Sequence, residues 1–314
     1  MKYKYPNYEE LSFDEINTLS IYERYSKVSV DDFAETPKSW ESINIRKELF
    51  PNILKSGEFF RFCDYIKNVR KEGKQILWLT GAHIVKVGLS KIVIELAKKG
   101  FITAFAANGA LAIHDVEISL FGKTSEDVEK SIKDGKFGVT KETAEFINDA
   151  ISTGAKQGYG YGESIARALI KANPKYKNYS IIYNLFVMGI PVTIHTIPGA
   201  EVIHIHPDVD DKAVGETSMR DFRRFCSFVS KLEGGAVVGW GSAVVMPEIF
   251  LKALSISRNL GYKVENFRTA YFDMYIHYRP MQNIVLRPTA GKGSYFVGHH
   301  EIMMPLLASI LLGG

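Results

Sequence analysis

The chain has 314 residues, 46% of them hydrophobic and 24% charged, which is enough apolar material for a large buried core and excludes a chain that is disordered by composition. Its 39 lysine and arginine residues exceed its 35 aspartate and glutamate residues by four. With so small an excess and no basic block, the sequence predicts no nucleic-acid partner.

Three features bear on the compartment. The N-terminal sequence MKYKYPNYEE lacks the apolar centre of a signal peptide. The apolar stretch 181–206 is interrupted by Pro191 and Pro198, so it predicts core strands and not a membrane span. Cys63 and Cys226 stand in apolar helical contexts and are expected to be free thiols. We therefore expect a soluble cytoplasmic protein with no membrane partner.

The first 60 residues are aromatic and charged and show no regular period. They predict an N-terminal arm, anchored by Phe33 and Trp40, that wraps a neighbouring subunit or packs on its own domain. Residues 61–314 are predicted to form one α/β domain. An amphipathic helix from Phe59 to Lys71 leads into its first strand.

Residues 75–122 carry the strongest pattern in the chain. Ile76 to Leu79 is an apolar run of strand length, and the helix that follows ends at Gly100. A second strand runs from Phe101 to Ala106, and a second helix runs from Ala110 to Phe121. This order, strand, helix, strand, helix, predicts a parallel sheet, and therefore an α/β fold.

Each strand of this unit ends in a small polar turn. In parallel sheets, ligands lie off the carboxyl ends of the strands, beside the helix N-termini. The turns therefore predict a pyrophosphate site, although small polar turns are also common in α/β domains that bind nothing there. No GxGxxG motif is present, so a dinucleotide would not bind in the usual Rossmann manner. The candidate residues are Thr80, Gly81, Ala82, Asn108 and Gly109.

Further along, two surface helices are predicted, one capped by Thr124 or Ser125 and the next by Thr140. The glycine run 158–164 precedes a helix and predicts a mobile lid or cap, with ligand contact as the alternative. A strand from Ile190 ends at His195.

The sequence VIHIHPDVDD places His204 and His206 on alternate residues of a predicted strand, with aspartates after them. The pair is able to bind a metal, but the sequence supplies no third ligand, so we predict hydrogen bonding to substrate or subunit and no metal site. A helix is predicted from Met219 to Glu233, and a strand at Ala236–Val238 ends in a glycine-rich turn.

The segment TGAHIVKVGLSKIVIELAKKGFITAFAANGALAIHDVEISL resembles the deoxyhypusine synthase family, in which two such turns and an acidic helix line an NAD site. Within it, AANGALAIHDVE is similar to the NAD-binding part of the archaeal-type ornithine cyclodeaminases. The resemblance implies a parallel-sheet, three-layer α/β sandwich with NAD as cofactor. It also implies a homo-oligomer, a tetramer or a dimer, because the sites of that family are completed between subunits.

The same resemblance implies further site residues. Asp115 lies in the acidic helix, and the turn after Val238 matches a glycine turn that packs against the cofactor in that family. FRTAYFD matches the family's T-A-Q-E-F-D stretch, and Gly298 to Glu301 replaces small and acidic residues at the nicotinamide end. The residues so implied for the cofactor are Asp115, Gly239, Gly241, Ser242, Thr269, Ala270 and Asp273.

The chain departs from deoxyhypusine synthases at their catalytic groups. The family's imine-forming lysine falls near Leu286, and its polyamine-binding K-H-H falls on residues 245–247, VMP. Lys292 is the one lysine nearby, in a glycine-flanked loop. We therefore expect that the chain is not a true deoxyhypusine synthase, with imine formation on Lys292 as an alternative.

In place of those groups, the chain has a set of histidines at other positions. Because histidine titrates near neutrality, their concentration at predicted strand ends and turns predicts a proton-transfer site. Asp115, Glu117 and Glu301 are able to hold a cation or orient an imidazole. His83 and His277 belong to the same set, and the catalytic candidates are His195, His299, His300, His114 and Glu301.

The sequence thus predicts an NAD-dependent enzyme that acts on a small amine or amino acid. The predicted chemistry is transient oxidation followed by return of the hydride. Two alternatives stay open: a nucleotide- or metal-binding protein without redox chemistry, and a deoxyhypusine synthase that uses Lys292.

Overall fold

A computed structural model describes residues 10–313. Six of its strands form one parallel sheet in the order β5-β3-β2-β6-β7-β8, and β1 and β4 form a separate antiparallel pair. Counted from the first strand of the main sheet, this order is 3-2-1-4-5-6, which is the order of dinucleotide-binding α/β folds. The strands are β1 (Ser26–Ser29), β2 (Ile76–Thr80), β3 (Ala104–Asn108), β4 (Lys123–Glu126), β5 (Val192–His195), β6 (Ala236–Trp240), β7 (Arg268–Asp273) and β8 (Ser294–Val297).

Helices cover both faces of the sheet, so the predicted three-layer α/β sandwich is confirmed. One face packs against α1, α3, α4 and α12, and the other packs against α9 and α10. The helices are α1 (Leu54–Lys71), α2 (His83–Lys86), α3 (Ser90–Lys98), α4 (Gly109–Phe121), α5 (Val128–Ser131), α6 (Lys141–Lys156), α7 (Tyr161–Ala172), α8 (Ile181–Val187), α9 (Asp211–Val229), α10 (Val245–Asn259), α11 (Tyr278–Pro280) and α12 (His300–Leu312). A π-helical segment, Met281–Leu286, follows α11.

Strand β2 is buried along its whole length, as its unbroken apolar sequence predicts for a strand inside a parallel sheet. Trp78 lies at its centre and donates from its indole N–H to the carbonyl oxygen of Phe101, at 3.0 Å. Helix α3 faces the sheet with Ile92, Val93 and Leu96, all buried. The predicted strand, helix, strand, helix unit is therefore present as β2, α3, β3 and α4.

The described part of the N-terminal segment packs on its own domain. Phe33 and Trp40 are buried in the main core, and the Phe33 ring meets that of Tyr179 edge to face at 5.5 Å. Strand β1 pairs with β4, which holds the segment against the end of α4. Residues 1–9 of the predicted arm lie outside the described residues.

Three local predictions differ from the structure. Thr124 and Ser125 lie in β4 and cap no helix, because β4 pairs with β1 there. Helix α9 begins at Asp211, well before Met219, since the Asp210 carboxylate accepts a hydrogen bond from the Ala213 N–H at 3.0 Å. Val202–Ile205, which contains the first histidine of the H-x-H pair, is a 3₁₀ turn and not a strand.

Cys63 and Cys226 are both free thiols. Burial raises the pKa of the Cys63 thiol to about 12. Between residues 10 and 313, no helix has the length and apolar character that crossing a membrane requires.

Candidate functional site

The carboxyl ends of the six parallel strands meet at one edge of the sheet. In register, His195 lies opposite Asn108, Thr80 lies opposite Trp240, and Asp273 lies opposite Val297. The strand order reverses between β2 and β6, and it is at such a point that open α/β sheets bind their ligands. Thr80 and Trp240 end the two strands that flank it.

The turns that follow β2 and β6 are in direct contact. The Gly81 N–H donates to the Trp240 carbonyl oxygen at 2.8 Å. A Cβ on Gly81 would lie 2.2 Å from the Gly241 carbonyl oxygen, so only glycine fits. Gly241 has a φ of +59°, and a Cβ there would lie 2.4 Å from Cε1 of His300. We call this cluster of Thr80, Gly81, Trp240, Gly241 and His300 the switch-point site.

His300 begins α12 and is fully buried at the switch-point site. Its ring centroid lies 5.1 Å from that of His83 and 5.5 Å from that of Trp240, both edge to face. Its Nε2 lies 3.3 Å from the Phe272 carbonyl oxygen, which requires that Nε2 carry the proton. Burial first, and then the neighbouring His83, lower the pKa of His300, so the imidazole is neutral at neutral pH.

Three buried polar atoms of this cluster have no hydrogen-bond partner in the described structure. They are Thr80 Oγ1, Trp240 Nε1 and His300 Nδ1. Buried polar groups are nearly always paired, and an unpaired one costs about 1–3 kcal/mol. All three atoms belong to residues at or beside the point where the strand order reverses.

Ser242 and Asp273 lie beside this cluster. The Ser242 N–H donates to the Tyr271 hydroxyl at 2.9 Å, and that hydroxyl donates to the Ser242 carbonyl oxygen at 2.6 Å. Gly239 leaves room for the Tyr271 ring, whose nearest atom would lie 2.1 Å from a Cβ. Asp273 ends β7, and its Oδ2 lies 3.9 Å from Nε2 of His277.

Other predicted cofactor residues lie elsewhere. Thr269 and Ala270 are in the amino half of β7, and the Thr269 hydroxyl donates to the Ile284 carbonyl oxygen at 3.0 Å. Asp115 accepts hydrogen bonds from the Ser180 hydroxyl and from the N–H groups of Ile181 and Ile182. Its carboxylate therefore caps α8 and is not presented to a ligand. The sequence does not predict the partners of Thr269 and Asp115, because both side chains bond to residues that are distant along the chain.

The catalytic candidates separate into buried and exposed groups. His195 is buried against Phe225 with no charged neighbour, and burial lowers its pKa to about 3. The side chains of His299 and Glu301 are 65% and 47% exposed, with Nδ1 and Oε1 3.8 Å apart. Of the predicted set, only His300 and His83 meet at the switch point.

His114 belongs to a separate hydrogen-bonded network that joins α4 to strand β4 and helix α6. Its Nδ1 lies 2.7 Å from the Thr124 hydroxyl, which donates to Glu117. Glu117 also pairs with the Arg24 guanidinium at 2.9 Å and accepts from Thr143 at 3.0 Å. Burial lowers the pKa of His114 to about 4.

The second turn is closed by the chain itself. The Asn108 side chain caps α4 by accepting from the Leu111 N–H at 3.1 Å. The Glu201 carboxylate lies directly on Gly109, where a Cβ would be 2.3 Å from Glu201 Oε1. Burial raises the pKa of Glu201 to about 7. Nothing local in the sequence marks Glu201, because it reaches Gly109 from the loop after β5.

The remaining candidates are placed as follows. Lys292 precedes β8 and so lies at the amino edge of the sheet, the opposite end of that strand from His300. His204 lies 3.4 Å from Glu201, and the described residues contain no group of three or more side chains able to hold a metal ion. The glycine run packs on Asp221, which accepts from the Gly162 and Ile194 N–H groups at 2.8 Å each.

Comparison with known proteins places these observations in context. Residues 61–158 match a family model described as arginine dihydrolase ArgZ-like, C-terminal, Rossmann fold. An ornithine cyclodeaminase of Methanothermobacter thermautotrophicus is 37% identical over 62 residues, which are 20% of this chain and 15% of that protein. The chain therefore spans a small part of the length of this relative.

Solved structures share the fold. ArgZ, an arginine dihydrolase from the ornithine-ammonia cycle in cyanobacteria, has a TM-score of 0.52 and 15% identity over 82% of this chain and 33% of that chain. AgrE in a ternary complex with ornithine and NAD+ has a TM-score of 0.54 and 11% sequence identity, over 81% of this chain and 32% of that chain. A protein assigned as a deoxyhypusine synthase, from Entamoeba histolytica, has a TM-score of 0.50 and 12% sequence identity, over 85% of this chain and 93% of that chain. At these identities the likeness establishes a Rossmann-type fold.

Proposed function

We propose that the chain is an NAD-dependent enzyme that acts on a small amino acid by transient oxidation and return of the hydride. The observation that carries the proposal is the set of three unpartnered buried atoms at the switch point, Thr80 Oγ1, Trp240 Nε1 and His300 Nδ1. They lie where dinucleotides bind in this strand order.

Two likenesses support the choice of cofactor and substrate. AgrE shares the fold and is known in a complex with ornithine and NAD+. The sequence relative is an ornithine cyclodeaminase, and its 37% identity extends over 62 residues. The proposed substrate is therefore an ornithine-like amino acid.

The residues present fit a dinucleotide in a particular way. Thr80 Oγ1 and Trp240 Nε1 are the unpaired atoms that would hold it, and Gly241 keeps the β6 turn free of a side chain beside His300. The N-terminus of α4 is covered by Glu201, so it is not a free phosphate site, in keeping with the missing GxGxxG motif. When bound, NAD would supply an acceptor for a hydride and its later donor.

The chain's own part is proton transfer. His300 Nε2 is held against the Phe272 carbonyl oxygen, which leaves Nδ1 as the free acceptor for a proton from the substrate. His83 packs edge-on to this ring and would pass the proton onward, because it is half-buried. Both pKa values are lowered by burial, so both imidazoles start neutral and able to accept.

An imine on a lysine plays no part in this proposal, because Lys292 lies at the amino edge of the sheet. We therefore propose that the chain does not modify a protein lysine as deoxyhypusine synthases do. We also keep the expectation of a cytoplasmic homo-oligomer, a tetramer or a dimer, which light scattering of the purified protein tests.

The deciding experiment follows a deuterium label. The protein is incubated with NAD and ornithine that carries deuterium on its α-carbon, and the product is examined by mass spectrometry. Return of the hydride predicts that the product keeps the deuterium and that no reduced cofactor accumulates. Loss of the label to water, with NAD bound, would contradict hydride return. Absence of any NAD-induced thermal shift would contradict the cofactor assignment, since saturation at about a hundred times Kd adds about 2.7 kcal/mol.

A further inference from the structure

A cavity of about 200 Å³ lies between α2, the first turns of α4 and strand β4. It is separate from the switch-point cluster but shares α2 with it, because His83 begins that helix and Lys86 ends it. We call it the α4 cavity. The titratable residues of its lining are Arg24, Lys86, His114, Glu117, Glu126 and Glu201.

Two carboxyl groups of this lining each accept a backbone hydrogen bond on one oxygen and make no hydrogen bond with the other. Glu201 Oε1 accepts from the Ile197 N–H at 3.0 Å, and Glu126 Oε2 accepts from the Gly138 N–H at 3.0 Å. Glu201 Oε2 and Glu126 Oε1 are buried and make no hydrogen bond among residues 10–313, and the same is true of the hydroxyl of Ser125 in the same lining. His204 Nε2 lies 3.4 Å from Glu201 Oε2, but burial lowers the pKa of this imidazole, so it is neutral near pH 7 and forms no ion pair there. The Glu201 side chain is only 8% exposed. Buried acceptors in this state call for a ligand rich in N–H or O–H donors.

The charges favour a cation for that ligand. The third carboxyl group, Glu117, is already paired with Arg24 at 2.9 Å, so Glu126 and Glu201 are the carboxyl groups left to accept from a ligand. Burial raises the pKa of Glu201 to about 7, so near neutrality this carboxyl keeps a proton that an incoming cation would displace. His114 does not compete, because burial lowers its pKa to about 4 and keeps it neutral.

The remaining walls set size and shape. Ala110, Ile113, Phe137 and Val202 give apolar contact for a short methylene chain, and exposed Lys86 stands at the rim. The volume lies below the roughly 300–1,000 Å³ of sites for drug-sized ligands, so an adenosine group does not suit it.

We propose that the α4 cavity binds the ammonium end of a small amino acid or diamine, with Glu201 and Glu126 as the recognising carboxylates. Lys86 then meets the carboxylate of an amino acid at the rim. This rests on the proposed function and deepens it, because it names the charge and size of the substrate.

Binding without NAD tests the cavity apart from the cofactor. Ornithine and 1,4-diaminobutane are titrated calorimetrically into the full chain and into Glu201→Gln and Glu126→Gln variants. Each variant keeps its backbone contact and loses one charged acceptor, so affinity for both amines falls about 10- to 100-fold. Glu95→Gln, which removes a carboxylate from α3 outside the cavity, leaves both affinities unchanged.

Two further readouts keep the test decisive if a glutamine variant folds poorly. Lys86→Ala, at an exposed position, weakens ornithine several-fold and leaves 1,4-diaminobutane unaffected, since only ornithine carries a carboxylate. Near neutral pH, amine binding releases protons, seen as a dependence of the binding heat on the buffer, because burial raises the pKa of Glu201 to about 7 and a bound cation lowers it again.

Other outcomes overturn the proposal. Unchanged amine affinity in both glutamine variants would remove the cavity from substrate binding. Weakened binding of ADP-ribose in Glu201→Gln, with amine binding intact, would assign the cavity to the cofactor. If NAD does not bind but amine binding depends on Glu201, the result would contradict the proposed function and would still support the amine site.

Discussion

The rings of His83 and His300 meet edge to face with their centroids 5.1 Å apart, although one follows the first strand of the main sheet and the other begins the last helix. The contact exists because β2 and β6 are neighbours and their turns leave no side chain between the two rings. Two imidazoles this close cannot both be charged without mutual repulsion, so a single proton is the most that the pair holds near neutral pH.

Replacing His300 tests its place in the chemistry. His300→Gln keeps a donor for the Phe272 carbonyl oxygen but offers no basic nitrogen. If His300 moves the proton, turnover of an amino acid with NAD falls about 10²- to 10⁴-fold while NAD affinity is kept. Steady-state kinetics and calorimetric NAD titration measure the two effects. His299→Gln, at an exposed neighbour, is the control, and equal losses in both variants would remove His300 from the mechanism.

Gly81 is expected to tolerate no side chain. Its Cβ would lie 2.2 Å from a backbone oxygen of the neighbouring turn, which cannot rotate away. Gly81→Ala should therefore lower the free energy of unfolding by about 1–3 kcal/mol, the usual range for overpacking. Urea denaturation measures this. Gly215→Ala in α9, where a Cβ meets nothing within 4 Å, should instead stabilise the protein by about 0.5–1 kcal/mol.

Acid should destabilise the fold through His195. Because burial lowers its folded pKa to about 3, the unfolded chain binds the proton first as the pH falls below the ordinary value of 6.5. The contribution of neutral His195 to the unfolding free energy is therefore fully present above pH 6.5, and it decreases as the pH falls from 6.5 to about 3. Between pH 7 and pH 5 this one group removes about 2 kcal/mol.

Urea denaturation at both pH values measures that loss. A His195→Gln variant should lose about 2 kcal/mol less than the parent between the two. A His195→Gln variant with the full acid sensitivity would mean that other buried groups cause it.

Asp115 should matter for stability and not for ligand binding. Asp115→Ala leaves the Ser180 hydroxyl and the N–H groups that start α8 unsatisfied in the core. The expected loss is about 2–4 kcal/mol, with NAD affinity unchanged in the folded fraction. Asp149→Ala, at an exposed position of α6, should change the unfolding free energy by less than about 0.5 kcal/mol. Lost NAD affinity at full stability would restore Asp115 to the cofactor site.

Arg24 should hold the N-terminal segment to the domain. Arg24→Ala leaves the buried Glu117 carboxylate without its cation, and such a change costs about 3–5 kcal/mol. Lys47→Ala breaks the exposed pair with Asp64 and should cost less than about 1 kcal/mol. Thermal and urea unfolding compare the two variants, and similar effects in both would show that burial does not govern the Arg24 pair.

The fold was predictable because its signals are local. Unbroken apolar strands such as β2, and helices with one apolar face such as α3, need no knowledge of the rest of the chain. The same local signals predict that Thr80, Gly81 and Asn108 lie at strand ends. His300 came to the site through a family resemblance, which carries long-range information that periodicity lacks.

The rest depended on packing between distant segments. Thr269 and Asp273 belong to one strand, yet its two ends lie at opposite edges of the sheet, and sequence matching does not say which end faces a ligand. Glu201 reaches Gly109 from a loop with no regular pattern. The alternation around His204 predicts a strand, but the backbone there forms a 3₁₀ turn.

Helix α2 has four residues, a single turn, with His83 at one end and Lys86 at the other. A ligand that fixes one end of so short an element also restricts the other end, and equilibrium coupling of this kind is reciprocal. If a molecule bound beside Lys86 changes the affinity for a second ligand beside His83 by some factor, the second ligand changes the affinity for the first by the same factor. Binding at one end of α2 would therefore change the binding affinity at the other end.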